Sequence, residues 1–235
     1  MAYAERVSTR SAAVLWRTAG IGPARVLPDG HMDLIWMSGK LLVAGPDITA
    51  VTVDRERSGE IWGLRLPRGV ASRIFGMSAA ELLNRRIDLA DLVPAEFIQR
   101  AEESLTSKLP HSVLEELLLE LMTAAEITDR TLRRARSISG ALATGRPVTE
   151  IAAAFGISTR QLHRYSIETF GYSPKTLGSI HRFQRARWLI RSGKPLAAAA
   201  AGAGYADQSH MSRELQRLAQ ATPRQLSRGG ETITP

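Results

Sequence analysis

The chain has 235 residues, with 31 Lys and Arg against 23 Asp and Glu, a formal net charge of +8 and no cysteine. Its length and its 44% hydrophobic content allow one large or two medium domains with real cores, and the missing cysteines exclude disulfides, thiolate metal sites and a cysteine nucleophile. The charge is uneven: residues 126–235 hold 17 basic against 7 acidic side chains, net +10, leaving 14 against 16, net −2, for residues 1–125, the footprint of a polyanion-binding module joined to a part with another task.

The apolar run at Ala12–Trp16 is too short for a signal peptide. No uncharged apolar stretch approaches the roughly 18 residues of a membrane span, and the basic residues are scattered over short helices rather than gathered on one amphipathic helix. A cytoplasmic protein with no membrane partner is expected.

Residues 1 to 93 read as β-rich. Short apolar runs at Ala13–Trp16, Leu34–Met37, Leu41–Ala44, Ala50–Val53 and Ile61–Leu66 alternate with turn signals at Gly20-Ile21-Gly22-Pro23, Pro28-Asp29-Gly30, Ser38-Gly39-Lys40, Gly45-Pro46-Asp47 and Arg57-Ser58-Gly59. Such strands favour a small antiparallel barrel or sandwich, with its clearest hairpin around Ser38-Gly39-Lys40. Ala71 to Leu92 then reads as helical, with Ser78 capping Ala79–Asn84 and Glu81 in the capping-box position.

Residues 94–125 form a helical connector with patterns at Ala95–Leu105 and Ser112–Met122. In the second, Val113, Leu114, Leu117, Leu118 and Leu121 make an apolar stripe that can pack on its own domain or on a second subunit.

Residues 126–229 form the basic helical domain. Thr128 or Asp129 caps a first helix that Gly145 and Pro147 stop. One pattern then occurs twice. Ile151-Ala152-Ala153-Ala154-Phe155-Gly156-Ile157-Ser158 leads into a polar helix at Thr159–Thr169, and Ala199-Ala200-Ala201-Gly202-Ala203-Gly204-Tyr205-Ala206 leads into another at Gln208–Leu218. Ser173-Pro174 and Thr222-Pro223 close the two copies. Small residues let two helices cross closely, and glycine takes the positive φ that ends the first, so each copy predicts a helix-turn-helix whose second helix can lie in a major groove. An all-helical repeat without nucleic acid is the rival reading. Between the copies, Pro174 to Ser192 predicts a long helix with Arg182, Arg185 and Arg191 available to solvent or phosphate.

From Thr128 to Ser227 the chain resembles the DNA-binding domain of the AraC/XylS family of bacterial transcription regulators. The resemblance rests on Ile151-Ala152-x-x-Phe155-Gly156-x-Ser158-x-Arg160-x-Leu162-x-Arg164, Phe170-Gly171-x-Ser173-Pro174-Lys175, Arg182-Phe183-x-x-Ala186, Gly204-Tyr205-x-Asp207-Gln208-Ser209-His210-Met211-Ser212-Arg213-Glu214 and Thr222-Pro223. It implies seven helices, two helix-turn-helix units joined by a long helix, and two adjacent major-groove contacts. The alanines of Leu196–Ala203 replace an acidic residue and an isoleucine usual in the family, which implies looser packing of the second unit. Through Leu27-Pro28-Asp29-Gly30-His31-x-Asp33-Leu34 and Val43-Ala44-Gly45-Pro46 the N-terminal half resembles cupin-like sensing domains. The expected fold is therefore α+β, a β-rich cupin-like barrel followed by an all-α DNA-binding domain.

By the same alignment Arg160, His163 and Arg164 of the first reading helix face bases, as do Gln208, Ser209, Ser212 and Arg213 of the second, with His210 beside them. Arginine suits guanine O6 and N7, and glutamine suits adenine. Thr159 and Arg182 are read as phosphate contacts; for Arg213 a salt bridge or phosphate contact is the alternative, and for Ser212 a solvated hydroxyl. His31, between Asp29 and Asp33, suggests a cupin-type metal site, but His111, His163, His181 and His210 fall on predicted helices outside the barrel, so no metal and no cofactor is expected. Trp16, Trp36 and Trp62 are core residues by default, or one lines a ligand pocket.

The expected function is a one-component transcription regulator, an activator that binds double-stranded promoter DNA and touches RNA polymerase, with an effector-sensing or dimerising N-terminal domain and no enzymatic activity. A small-molecule effector and a homodimer are the further partners. The rivals are a cupin-type enzyme with an appended DNA-targeting module and a regulator without a small ligand; a DNA-repair methyl acceptor with a similar C-terminal domain is excluded by the missing cysteines.

Overall fold

The computed structural model describes residues 2–20, 22–55, 60–227 and 232–233. The first seven strands are β1 (Ala2–Val7), β2 (Val14–Ala19), β3 (Gly22–Val26), β4 (Asp33–Met37), β5 (Lys40–Ala44), β6 (Val51–Arg55) and β7 (Glu60–Arg65). Ser38 and Gly39, at φ 52° and 75°, form the tight turn between β4 and β5, where Met37 pairs with Lys40. Two successive positive φ values match the right-handed twist of the flanking strands.

With β8 (Arg86–Asp88), five of these strands form an antiparallel sheet in the order β1-β2-β7-β4-β5-β8. β3 pairs with β6 and, in parallel, with β9 (Thr232–Ile233). Side-chain alternation along β2 sends Leu15 into the core under the large sheet and Trp16 between the sheets. Trp16 lies flat across β7, where a Cβ on Gly63 would come within 2.0 Å of its ring, so this crossing requires glycine.

The segment read as one helix from Ala71 to Leu92 breaks into short pieces: α1 (Ala71–Ile74), a 3-10 turn at Ala79–Leu82, β8 and a second 3-10 turn at Leu89–Asp91. Left-handed residues at Gly76 (φ 61°) and Asn84 (φ 57°) interrupt it. The capping box of Ser78 and Glu81 forms, but on the 3-10 turn. Sequence reading missed β1, which is rich in exposed charge, and β3, whose Gly22-Pro23 start read as a turn. The turn expected at Arg57-Ser58-Gly59 and Ile21 of the first turn lie outside the described residues.

α2 (Ala95–Leu105) and α3 (Pro110–Ala124) follow. The apolar stripe of α3 is spent on its own chain: Val113, Leu114, Leu117, Leu118 and Leu121 are buried with Leu15, Leu34, Val43 and Leu64 of the sheet. On the same helix buried Glu115 accepts hydrogen bonds from Ser8 and Ser11 and lies 3.9 Å from Arg10, which fastens the β1–β2 loop.

Among the described residues seven helices follow: α4 (Asp129–Ala143), α5 (Val148–Ala154), α6 (Thr159–Phe170), α7 (Pro174–Arg191), α8 (Leu196–Ala203), α9 (Gln208–Ala219) and α10 (Pro223–Ser227). Their core centres on Leu177, Ile180, Phe183, Ala186 and Ile190 of α7 and also takes in Leu27 from the N-terminal half. The molecule is thus α+β, a β-rich N-terminal region followed by a helical C-terminal domain.

Candidate nucleic-acid interface

α7 is the element on which the site is built. Ser173 caps it by accepting from Thr176 N at 3.1 Å, and Pro174 occupies the first turn. Its 18 residues make a rod of about 27 Å at 1.5 Å per residue. α6, α8 and α9 all pack on this rod.

In the first unit α5 ends at Phe155, and Gly156 takes φ 63°. Ser158 and Gln161 then exchange hydrogen bonds in a capping box that starts α6. Leu162, Ser166, Thr169 and Phe170 turn inward, while Thr159, Arg160, His163 and Arg164 are exposed together on the opposite side. Arg164 lies 4.0 Å from Glu168 in an exposed pair one turn along, which holds it weakly. Arg134 of α4 sits 5.3 Å over the Tyr165 ring at the flank of the same helix.

In the second unit α8 ends at Gly204, in the left-handed region at φ 86°, and Asp207 caps α9 by accepting from His210 N at 2.6 Å. Met211, Leu215, Leu218 and Ala219 are buried; Gln208, Ser209 and Arg213 are exposed, and Ser212 and His210 are half-buried. His210 stands edge-on to Tyr205 at 5.2 Å. The alanines of α8 pack closely: Ala199, Ala200 and Ala203 are buried, and a Cβ on Gly202 would stand 3.0 Å from Leu189.

Arg182, read as a phosphate contact, is engaged inside the protein. Its guanidinium stacks 4.8 Å over Tyr205 and lies 4.0 Å from Glu214. Glu214 also accepts from Ser179 and pairs with Arg217 at 3.0 Å. Burial alone would raise the Glu214 carboxyl, but the hydrogen bonds from Arg217 and Ser179 and the charges of Arg217 and Arg182 bring it below its ordinary value. Arg185 is exposed, as expected, and donates to Ala143 O at 2.9 Å, which closes the end of α4.

His111, His163, His181 and His210 all lie on helices, as expected, and two of them reach the N-terminal region. His111 stacks on Trp62 at 5.6 Å, and His181 comes close enough to His31 for their charges to interact. Burial, with the charges of Arg68 and Arg185, pushes His181 down to about 4. Its Nε2 lies 3.1 Å from Ser139 Oγ of α4. Among the described residues no cluster of three or more His, Cys, Asp or Glu is placed to hold a metal ion, and no helix is long and apolar enough to cross a membrane.

Sequence reading also missed the joint between the halves. Pro28 O accepts from Gln184 Nε2 of α7 at 2.6 Å, Gly30 stands against Leu177 and Ile180, Tyr172 donates to Asp47 O at 2.7 Å, and Ala50 N donates to Leu218 O at 2.7 Å. The one sequence signal was Leu27, a buried apolar residue beside a turn.

Comparison with known proteins matches two separate regions of the chain. A family described as a helix-turn-helix domain matches residues 151–229, and a domain of unknown function (DUF6597) matches residues 12–88. No curated protein matches. Among solved structures, a probable AraC family transcriptional regulator from Rhodopseudomonas palustris is 24% identical and covers 40% of this chain and 93% of its own, with a TM-score of 0.35. A transcriptional regulator with an AraC-type DNA-binding domain from Chromobacterium violaceum is 23% identical over 39% of this chain and 88% of its own, with a TM-score of 0.37. Unsaturated fatty acid bound ToxT from Vibrio cholerae is 12% identical over 91% of this chain and 94% of its own, with a TM-score of 0.48.

Proposed function

From the premise that the C-terminal region is an AraC-type helix-turn-helix domain of a DNA-binding transcription regulator, we propose that one chain reads two unlike half-sites and answers to a signal held by its N-terminal half. The observation that carries this reading is the pair of exposed polar helix faces, on α6 and α9, packed on the single rod α7. Arg160, His163 and Arg164 read one half-site and Gln208, Ser209, Ser212 and Arg213 the other, in major grooves about one turn (~10 base pairs) apart. Thr159, at the start of α6, takes a phosphate. Arg182 acts from behind α9 by holding Glu214 and Tyr205, and His210 by packing on Tyr205.

The N-terminal half senses an effector in the cavity between its sheets. The segment Leu27–Gly30, whose Pro28 and Asp29 line that cavity, also touches α7, so a change there reaches the reading helices directly. The protein works in the cytoplasm as an activator without enzymatic activity, and Trp188, 66% exposed on α7, is an apolar handle for RNA polymerase. A homodimer would use exposed Val7 and Leu109 rather than the α3 stripe, which is already covered. Selection of bound fragments from genomic DNA, followed by footprinting, tests the reading: protection of two adjacent grooves over a non-palindromic site is expected, and protection of a single groove or no sequence preference at physiological salt refutes it.

A further inference from the structure

Between the two sheets lies a cavity of about 140 Å³. An engineered apolar cavity of about 150 Å³ admits benzene, so this one suits a molecule of roughly six to ten heavy atoms. Trp16, Val26, Ile35, Leu42, Val53 and Ile61 supply an apolar wall, and Asp29, His31, Asp33, Asp47 and Arg86 form the polar end.

The charges around that end cancel. The carboxylates of Asp29, Asp33 and Asp47 are matched by the guanidiniums of Arg65, Arg68 and Arg86. Arg86 grips Asp47 with two hydrogen bonds, at 2.9 and 2.5 Å. Arg65 stands 3.6 Å from Asp29, the charge of Arg68 also acts on Asp29, and Arg65 and Arg86 act on Asp33. At the margin Glu5, 4.0 Å from Arg65, and Arg187 add one charge of each sign. Burial and the charges of Arg68 and Arg65 push His31 well below its ordinary value, so its ring is neutral. Burial raises the carboxyls of Asp29 and Asp33 even so. The site resists charge, and an added ion of either sign would lie in it without a counter-charge. The occupant that fits is uncharged.

What the polar end lacks is hydrogen bonding. Asp33 accepts from Trp16 Nε1 at 2.7 Å, and Asp29 Oδ1 accepts from His31 N at 2.9 Å. Among the residues that line the cavity, Asp29 Oδ2 and His31 Nδ1 are the buried side-chain atoms without a hydrogen-bond partner. Such atoms are rare in native folds. Arg65 and Arg68 also keep unsatisfied donors, but they stand outside the lining, where they balance the charge of Asp29. A carboxylate oxygen only accepts, whereas a neutral imidazole nitrogen can donate. A hydroxyl, with one donor and two lone pairs, satisfies both at once, which a hydrocarbon, ether or ketone does not.

We propose that this cavity binds a small uncharged alcohol or phenol, a hydroxyl on an apolar body, which donates to Asp29 and accepts from His31. This rests on the sensing reading above and names the effector's chemical class. Because Asp29 adjoins Pro28, which accepts from Gln184 of α7, the hydroxyl would sit one residue from the joint to the DNA-binding domain.

The test uses the full chain at neutral pH and four probes of similar size, benzyl alcohol, toluene, benzylamine and benzoate, with calorimetric binding and thermal melting, and DNA binding followed in the same samples. Benzyl alcohol should bind at least about tenfold more tightly than each of the other three and raise the melting temperature. His31→Leu should bring the alcohol down to the level of toluene while toluene binds as before. Should that variant fail to fold, Leu42→Phe fills the cavity from its apolar side and should abolish alcohol binding. Equal or tighter binding of toluene or of either ion overturns the proposal, as does no binding of any probe, or undiminished alcohol binding by a folded His31→Leu or Leu42→Phe variant. Any of these with DNA binding intact leaves the regulator reading standing, whereas loss of sequence preference in the ligand-free chain counts against that reading alone.

Discussion

The two helix-turn-helix units share a sequence pattern and differ in how they are held. The first reading helix, α6, presents Arg160, His163 and Arg164 freely, and its far end abuts the N-terminal half: a Cβ on Gly171 would lie 2.6 Å from Pro46 and 3.0 Å from Ala79 O. The second, α9, is braced from inside its own domain by the cluster of Arg182, Tyr205, Glu214 and Arg217, and its reading face presents exposed Arg213. Both units touch the neighbouring region, α9 through Leu218 O, which accepts from Ala50 N at 2.7 Å, but the reading face of α9 is braced by side chains of its own domain whereas the end of α6 abuts the N-terminal half. A signal from the N-terminal half should therefore act first on the α6 half-site.

Gly171→Val should give the largest effect. At φ 78° a β-branched residue is strained, and its side chain would enter Pro46. A loss of about 3 kcal/mol in urea unfolding is expected, and, in whatever stays folded, weaker protection of the α6 half-site than of the α9 half-site. Equal weakening of both would break the comparison. Next in size, Arg164→Ala and Arg213→Ala should each cost about 1–3 kcal/mol of binding and relax preference in one half-site only. Arg213→Ala should leave its half-site more indiscriminate, because Arg160 still stands beside position 164. Equal losses on specific and random DNA in a competition assay would remove the base-reading role.

The two units were legible in the sequence because each is a local device: a glycine at a turn, a cap such as Ser158 or Asp207, and apolar residues spaced for one helix face. The β4–β5 hairpin was legible for the same reason. β1 was not, since Glu5 and Arg6 hide an edge strand whose partner supplies the apolar face, nor was the broken run from Ala71 to Leu92, where tertiary contacts override helical propensity. The exposed face of Arg160, His163 and Arg164 followed from periodicity and the reading positions of α9 from the family resemblance, whereas the engagement of Arg182 with Tyr205 and Glu214 did not, because Glu214 belongs to another helix and Tyr205 to the turn before it. Least legible was the docking of Leu27–Gly30 on α7, about 150 residues away in the chain, where the turn residues carry no mark of what they meet.

Acid separates the units in a third way. The contact between α4 and α7 uses His181, held down to about 4 against an ordinary 6.5. Between those values the unfolded chain takes up a proton that the folded chain refuses, so stability falls as pH drops from about 6.5 towards 4. Glu214 has its folded pKa below its ordinary 4.5; its contribution is present above that value and is lost only as pH falls further. Urea unfolding at a series of pH values should show His181→Gln flattening the upper part of the decline and Glu214→Gln the lower part. If one substitution flattens both, the α4 and α9 joints are not independent.

The smallest effect distinguishes the two helix ends. α6 closes on Gly171, whereas α9 closes on Gln220, held in the left-handed region at φ 51° and exposed to solvent. A residue with a Cβ pays strain there that glycine does not, and no neighbouring segment demands the side chain. Gln220→Gly should therefore raise stability by up to about 1 kcal/mol and leave DNA preference unchanged at both half-sites. The outcome is opposite in sign to that of Gly171→Val at the equivalent position. A loss of stability, or a change confined to the α9 half-site, would mean that Gln220 positions α9 and that the second unit is not held by its inner cluster alone.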